Sequence, residues 1–230
     1  MAANRGNLYQ LLDLANPGKT RRLRDNLPAV TTIADWVRDY LCRPHSDLGR
    51  EGTVCPFVPS AVTNRTLWIA PERIGDKTEL EAVSLLATYK DLFFQLEPKE
   101  GDSSLLKTIL VVFPDLTEER AQTVDRIQQA LKDSYVRDGL MIGEFHKRNN
   151  APGIHNPEFR PLQSPVPMLA IRYMVIGDWR FLIKSPEWVH EWVHRFHYQI
   201  SPADLVRQLR ELIDAIEAAQ KPAAVSVRSS

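Results

Sequence analysis

Apolar residues recur along this chain with two different periods, and the changes of period mark its elements. Ile33, Trp36, Val37, Tyr40 and Leu41 stand at i, i+3, i+4, i+7 and i+8, the spacing of an amphipathic helix. Arg65–Ala70 (RTLWIA) reads as a strand. Over Thr78–Leu96 the stripe Leu85, Leu86, Tyr89, Leu92 and Phe93 predicts a helix that Glu97-Pro98 ends. Thr108–Phe113 (TILVVF) is the most β-branched run and predicts a central strand covered on both faces. A helix over Leu116–Val136 follows, its Thr117-Glu-Glu start suiting an N-terminal cap. Leu140–Phe145 and Met168–Val175 are the next two strands. Ser185-Pro186-Glu187 and Ser201-Pro202-Ala-Asp204 open the last two helices, with Pro in the tolerated first turn. Leu205, Leu209, Leu212 and Ile216 give the final helix one apolar stripe.

The order α-β-α-β-α-β-β-α-α predicts a single-domain α/β or α+β sandwich, a mixed sheet with helices packed on it. The last two strands are joined without a helix, so an antiparallel pairing is expected there. Residues 1–28, charged and broken by Asn-Pro-Gly, read as an N-terminal arm or short helix. Residues 29–220 read as one domain, and the small polar residues 221–230 as a disordered tail.

Composition narrows the function classes. Lys+Arg and Asp+Glu both number 29, and no basic stripe stands out, which disfavours nucleic-acid binding through phosphate neutralisation. Zero net charge offers little resistance to self-association, so a homodimer is compatible with the chain. No run is long and apolar enough to predict a membrane span, and the N-terminus lacks the apolar core of a signal peptide. Two cysteines, Cys42 and Cys55, without CxxC spacing point to free thiols in a reducing compartment, and so to the cytoplasm.

Candidate chemistry concentrates in Leu140–Val175. His146 ends an apolar strand, where a sheet presents functional groups to a crevice; a histidine that only caps the strand gives the same pattern. Arg172 lies mid-strand in MLAIRYM and needs a partner, either a carboxylate such as Asp178 or Glu144 or an acidic ligand group. Ser164-Pro165-Val166-Pro167 makes a rigid turn in which a cis bond is one option. Cys55, before Pro56, is either a thiolate ligand or an inert buried thiol, and burial statistics favour the second. His190-Glu191-Trp192-Val193-His194 is an HExxH, which on a helix sets two imidazoles on one face for zinc with Glu191 as base. His197 extends the stripe, and Glu211 and Glu217 are candidate third ligands by position only. Histidines bordering an apolar helix face explain the same letters and are the favoured reading. No GxGxxG, Walker A or GxSxG is present, so the common nucleotide-binding and hydrolase fingerprints are missing.

Taken in order, WVRDYLC, VCPFVP, KTILVVFPDL, LMIGEFH and SPVPMLAIRYM, over residues 36–175, resemble a group of uncharacterised bacterial proteins. That group shares CPF, a VxxP strand end, FHP and an SPYP-type turn before a strand. More distantly the pattern resembles the YqcI/YcgG-like proteins, which include the haem-dependent N-hydroxylase of guanitoxin biosynthesis. Lys147 stands where those groups carry Pro after the His. The resemblance implies haem b, O2 or peroxide, and a small amine- or guanidine-bearing substrate, for instance an amino acid in secondary metabolism. It implies His146 as axial ligand with Cys55 as competitor, Arg172 and Arg160 for propionates or a substrate carboxylate, and His155 for proton delivery. The alternatives are a zinc hydrolase built on His190, His194 and Glu191, and a non-catalytic binding or scaffold protein.

Overall fold

In a computed structural model that describes residues 3–220, the chain is α+β, a mixed four-stranded sheet with helices packed on it. The tail from residue 221 lies outside the described residues. Contacts divide the chain into two compact units, one of residues 1–135 and 140–173, the other of 136–139 and 174–230.

The first unit holds the whole sheet. A single turn, α1 (Pro17–Thr20), precedes α2 (Leu27–Trp36), which runs into a π-helical turn at Val37–Leu41. α3 (Val58–Thr63) follows, a short helix that the apolar periodicity does not single out. β1 (Leu67–Pro71), α4 (Glu79–Gln95) and β2 (Thr108–Val112) follow, then α5 (Gln122–Arg137), β3 (Leu140–Phe145) and β4 (Met168–Tyr173). α4 begins with a capping box in which Thr78 and Glu81 bond each other's backbone N–H. Thr117 does not cap α5; it precedes a 3-10 turn, Glu118–Arg120, and regular α-helix starts at Gln122.

The strand order is β1-β2-β4-β3. β1 and β2 are parallel, and β4 is antiparallel to both of its neighbours, as expected for strands joined without a helix. β1, β2 and β3 therefore run the same way, and their carboxyl ends share one edge of the sheet.

Strand alternation sends side chains to two cores. Ile109, Val111, Ile142, Leu169 and Ile171 meet the buried stripes of α4 and α5. Leu67, Ile69, Leu110, Val112 and Met168 meet α2, α3 and the N-terminal residues Tyr9, Leu11 and Leu23. Tyr9, Leu11 and Leu23 thus anchor the N-terminal arm to this core, and Tyr9 exchanges both backbone bonds with Ile69 of β1 (2.9 and 2.8 Å).

Two polar groups tie this framework together, one buried and one half-buried. Lys107, wholly buried, donates to the Phe93 and Leu96 carbonyls at the C-terminus of α4 (3.2 and 3.0 Å), satisfying acceptors that helix geometry leaves open. The Asp115 carboxylate, past the end of β2, accepts from the Ile74 and Gly75 amides past the end of β1 (3.1 and 3.0 Å). Among the described residues the cis peptide falls at Glu97–Pro98, not in the Ser164–Pro167 turn, where Ser164 Oγ instead donates to the Val166 carbonyl.

In the second unit, Asp178 accepts from the Val175 amide (2.8 Å) and Trp192 of α6 (Pro186–Phe196) donates to the Ile176 carbonyl (3.0 Å). α7 (Pro202–Gln220) closes the described chain.

Candidate functional site

His146 follows β3 directly, at the edge that carries the carboxyl ends of three strands. In open α/β sheets that is where ligands are met. Continuing the alternation of β3, Phe145 turns to one face and packs edge-on against Trp36 (centroids 6.1 Å apart), while His146 turns to the other, under α5. Its Nε2 lies 2.8 Å from Oδ1 of Asp125. The imidazole is 3% exposed, whereas the Asp125 side chain is 43% exposed. His146 Nδ1 is buried and has no hydrogen-bond partner.

The pair is held from both sides. One turn along α5 from Asp125, Gln128 donates to the Ile142 carbonyl of β3 (2.9 Å). Beyond His146 the chain turns back as the Asn149 amide donates to the His146 carbonyl (3.0 Å), and the Asn149 side chain donates to the Glu144 carbonyl (3.2 Å). Gln163 in turn donates to the Asn149 carbonyl.

Asp125 and Gln128 were missed in the sequence. Gln128 carried a signal: it stands between Val124 and Leu131 on the stripe Ala121, Val124, Gln128, Leu131, Tyr135, and a polar residue on a buried stripe must find a partner. Asp125 borders that stripe, and nothing in its spacing separates it from an ordinary solvated helix residue.

The sheet separates the other candidates from His146. Arg172 belongs to the opposite face with Ala170 and Met168; its guanidinium lies 5.7 Å from the centre of the Phe57 ring and donates to the Tyr173 carbonyl (2.9 Å). Cys55, two residues before Phe57, packs against the core of that same face. The structure therefore joins Arg172 to the Cys55-Pro56-Phe57 segment and brings neither to His146. Phe159 also packs there, against His45 (4.8 Å) and Tyr40 (6.5 Å). Its neighbour Arg160 donates to the Pro157 and Phe159 carbonyls. His155 is exposed, in a loop whose Asn156 side chain donates to the Asp47 carbonyl (2.7 Å).

The HExxH residues lie in the second unit, on α6. His190 and His194 are exposed with parallel rings 6.5 Å apart, and His197 is exposed as well, so all three border the face that buries Trp192. Glu191 stands 3.9 Å from Arg195, and Glu211 is paired with Arg180 (3.3 Å). The Glu217 side chain lies outside the described residues. Among the described residues no group of three or more His, Cys, Asp and Glu is gathered as a metal would need.

Two cavities are open elsewhere in the first unit. One of about 670 Å³ lies between Ala3–Arg5 and the Thr88, Asp91 and Gln95 side of α4. One of about 250 Å³ lies among Lys77, Glu119, Arg120, Thr123 and Arg126. Neither includes His146. No described helix is long and apolar enough to cross a membrane.

Residues 30–208 match a protein family described as Domain of unknown function (DUF6875), and since the match covers most of the chain, the protein belongs to that family. No curated protein and no solved structure matches the chain.

Proposed function

We propose that the protein is a haem-dependent enzyme that oxidises a small amine- or guanidine-bearing molecule, with His146 as the residue that would hold the iron. The observation that carries this reading is the buried imidazole with one nitrogen on a carboxylate and the other without a partner. A carboxylate that accepts the Nε2 proton fixes the tautomer whose lone pair is on Nδ1 and makes that nitrogen a better donor to a metal. Bound haem would supply the activation of O2 or peroxide that side chains do not provide.

Within this reading Asp125 orients and polarises the ring, and Gln128 fixes α5 so that the carboxylate stays in place. The fit is to one nitrogen donor. Arg172 projects from the other face of the sheet and Cys55 packs against the core on that side, so they serve neither the iron nor the propionates at His146. Lys147 and Arg148, exposed and next in the chain, are the cations available to propionates. With the ring 3% exposed, uptake requires the Lys147–Asn149 turn to lift, which breaks the Asn149 bonds to His146 and Glu144.

A second reading has its own observation. Asp125 and Gln128 pin α5 onto an edge strand, and a histidine serving only as that staple belongs to a binding or scaffold protein without chemistry. Haemin titration of the purified full chain, with spectra before and after reduction under CO, separates the two. A stoichiometric Soret band that is lost in His146→Ala, with the far-UV circular dichroism of the wild type, supports the enzyme. Failure of the wild type to take up haemin leaves the staple. Retention in His146→Ala with loss in Cys55→Ser moves the ligand to the other face and overturns the assignment of His146.

A further inference from the structure

We propose that Cys42 and Cys55 form a reversible intramolecular disulfide when the protein meets a low-molecular-weight disulfide. The two cysteines come from separate segments that the fold pairs antiparallel. Pro44 bridges Thr53, Val54 donates to the Arg43 carbonyl (2.8 Å), and Cys55 donates to the Leu41 carbonyl (3.1 Å). These last two bonds bracket Cys42: Cys55 bonds the residue before it and Val54 the residue after it, which sets the two cysteines alongside each other.

Cys42 itself caps the π-helical turn (φ −85°, ψ 3°), so the closeness comes from the two bonds that flank it, and a disulfide needs Cα atoms about 4.4–6.8 Å apart. Both thiols are free, partly accessible, and packed against one apolar core. Burial pushes the Cys42 thiol up from its usual range, and the neighbouring Cys55 adds to that push. The second cause is a mark of closeness: charge on one sulfur disfavours charge on the other.

The chemistry balances with the named oxidant. One thiol loses its proton, and its thiolate attacks the reagent disulfide and releases one reagent thiol. The second protein thiolate then attacks the mixed disulfide and releases the other. Two S–H bonds and the reagent S–S bond break, one protein S–S bond forms, and the protein's two electrons and two protons leave on the reagent thiols. The closed segment 42–55 contains Asp47, whose carbonyl accepts from the Asn156 side chain, and Gly49, which lies close to the His155 backbone, so the bond would also stiffen the support of that second loop.

The test is incubation of the native full chain with oxidised glutathione, followed by intact-mass and peptide mapping. The expected product has lost about 2 Da, links the Cys42 and Cys55 peptides, and regains both thiols with dithiothreitol. Its thermal midpoint should rise by roughly 5 °C, because a cross-link of this loop length restricts the unfolded chain. The Cys42→Ser and Cys55→Ser variants should instead stop at the mixed disulfide, each gaining one glutathionyl group. A wild-type chain that keeps both thiols, carries two glutathionyl groups, or links only to a second copy overturns the proposal.

Discussion

Removing the His146–Asp125 contact tests how the candidate site is built, through a double-mutant cycle of His146→Ala, Asp125→Asn and the pair. A hydrogen bond to a charged group contributes about 1.5–3 kcal/mol when buried. Here Nε2 and Oδ1 are 2.8 Å apart, which is full hydrogen-bond contact, but the Asp125 side chain is 43% exposed and water screens it. Solvent access brings the expected coupling down to about 1–2 kcal/mol. His146→Ala alone should cost about 2–4 kcal/mol, since it also empties a packed site under α5. Urea unfolding, followed by circular dichroism and tryptophan fluorescence so that coincident curves check two-state behaviour, gives the four free energies. A coupling within about 0.5 kcal/mol of zero would refute the reasoning: the imidazole would then be held by packing, and Asp125 would have no role in fixing its tautomer.

The remaining predictions concern the framework. Lys107→Met should lower the urea midpoint, because it takes two donors from the last carbonyls of α4. Burial holds the Lys107 ammonium below its ordinary range, so over the window from that lowered value up to about 10.5 the unfolded chain binds more protons. Wild-type stability relative to Lys107→Met should therefore rise as pH rises through that window, and a flat difference would count against a buried ammonium. Asp115→Ala should cost about 2 kcal/mol by leaving the Ile74 and Gly75 amides without their acceptor, with Asp115→Asn, which keeps one acceptor oxygen, losing less; equal losses would show that a single neutral oxygen does not replace the carboxylate. Gly139→Ala should destabilise by about 1–3 kcal/mol in thermal melts, since φ is +77° and a Cβ would stand 2.8 Å from the Arg195 guanidinium.

How much was legible in the sequence depended on whether the signal was local. β3 was readable to the residue, and β2 and α4 nearly so, because their patterns are decided by burial of their own side chains. The start of α5 was not, since a 3-10 turn satisfies the same Thr-Glu-Glu letters as a cap. The grouping of site residues failed for a different reason. His146 ends one apolar strand and Arg172 lies within the next, but which face each takes is set by register, one residue of which reverses every side chain. Pairing of β3 with β4 puts Met141 opposite Arg172, and so Phe145, on the α2 face, leaving His146 to α5. Asp125 could be recognised only once that face was known.

The bridge between Tyr9 and Ile69 has a bearing on handling the protein. β1 is a terminal strand of the sheet, and an uncovered terminal strand offers its amides and carbonyls to any extended chain that approaches. The segment around Tyr9 acts as a shield for that strand, with Tyr9 occupying both of its bonding positions at Ile69. A version of the chain shortened past Tyr9 would carry an open template for strand addition, and copies of it would be prone to join edge to edge.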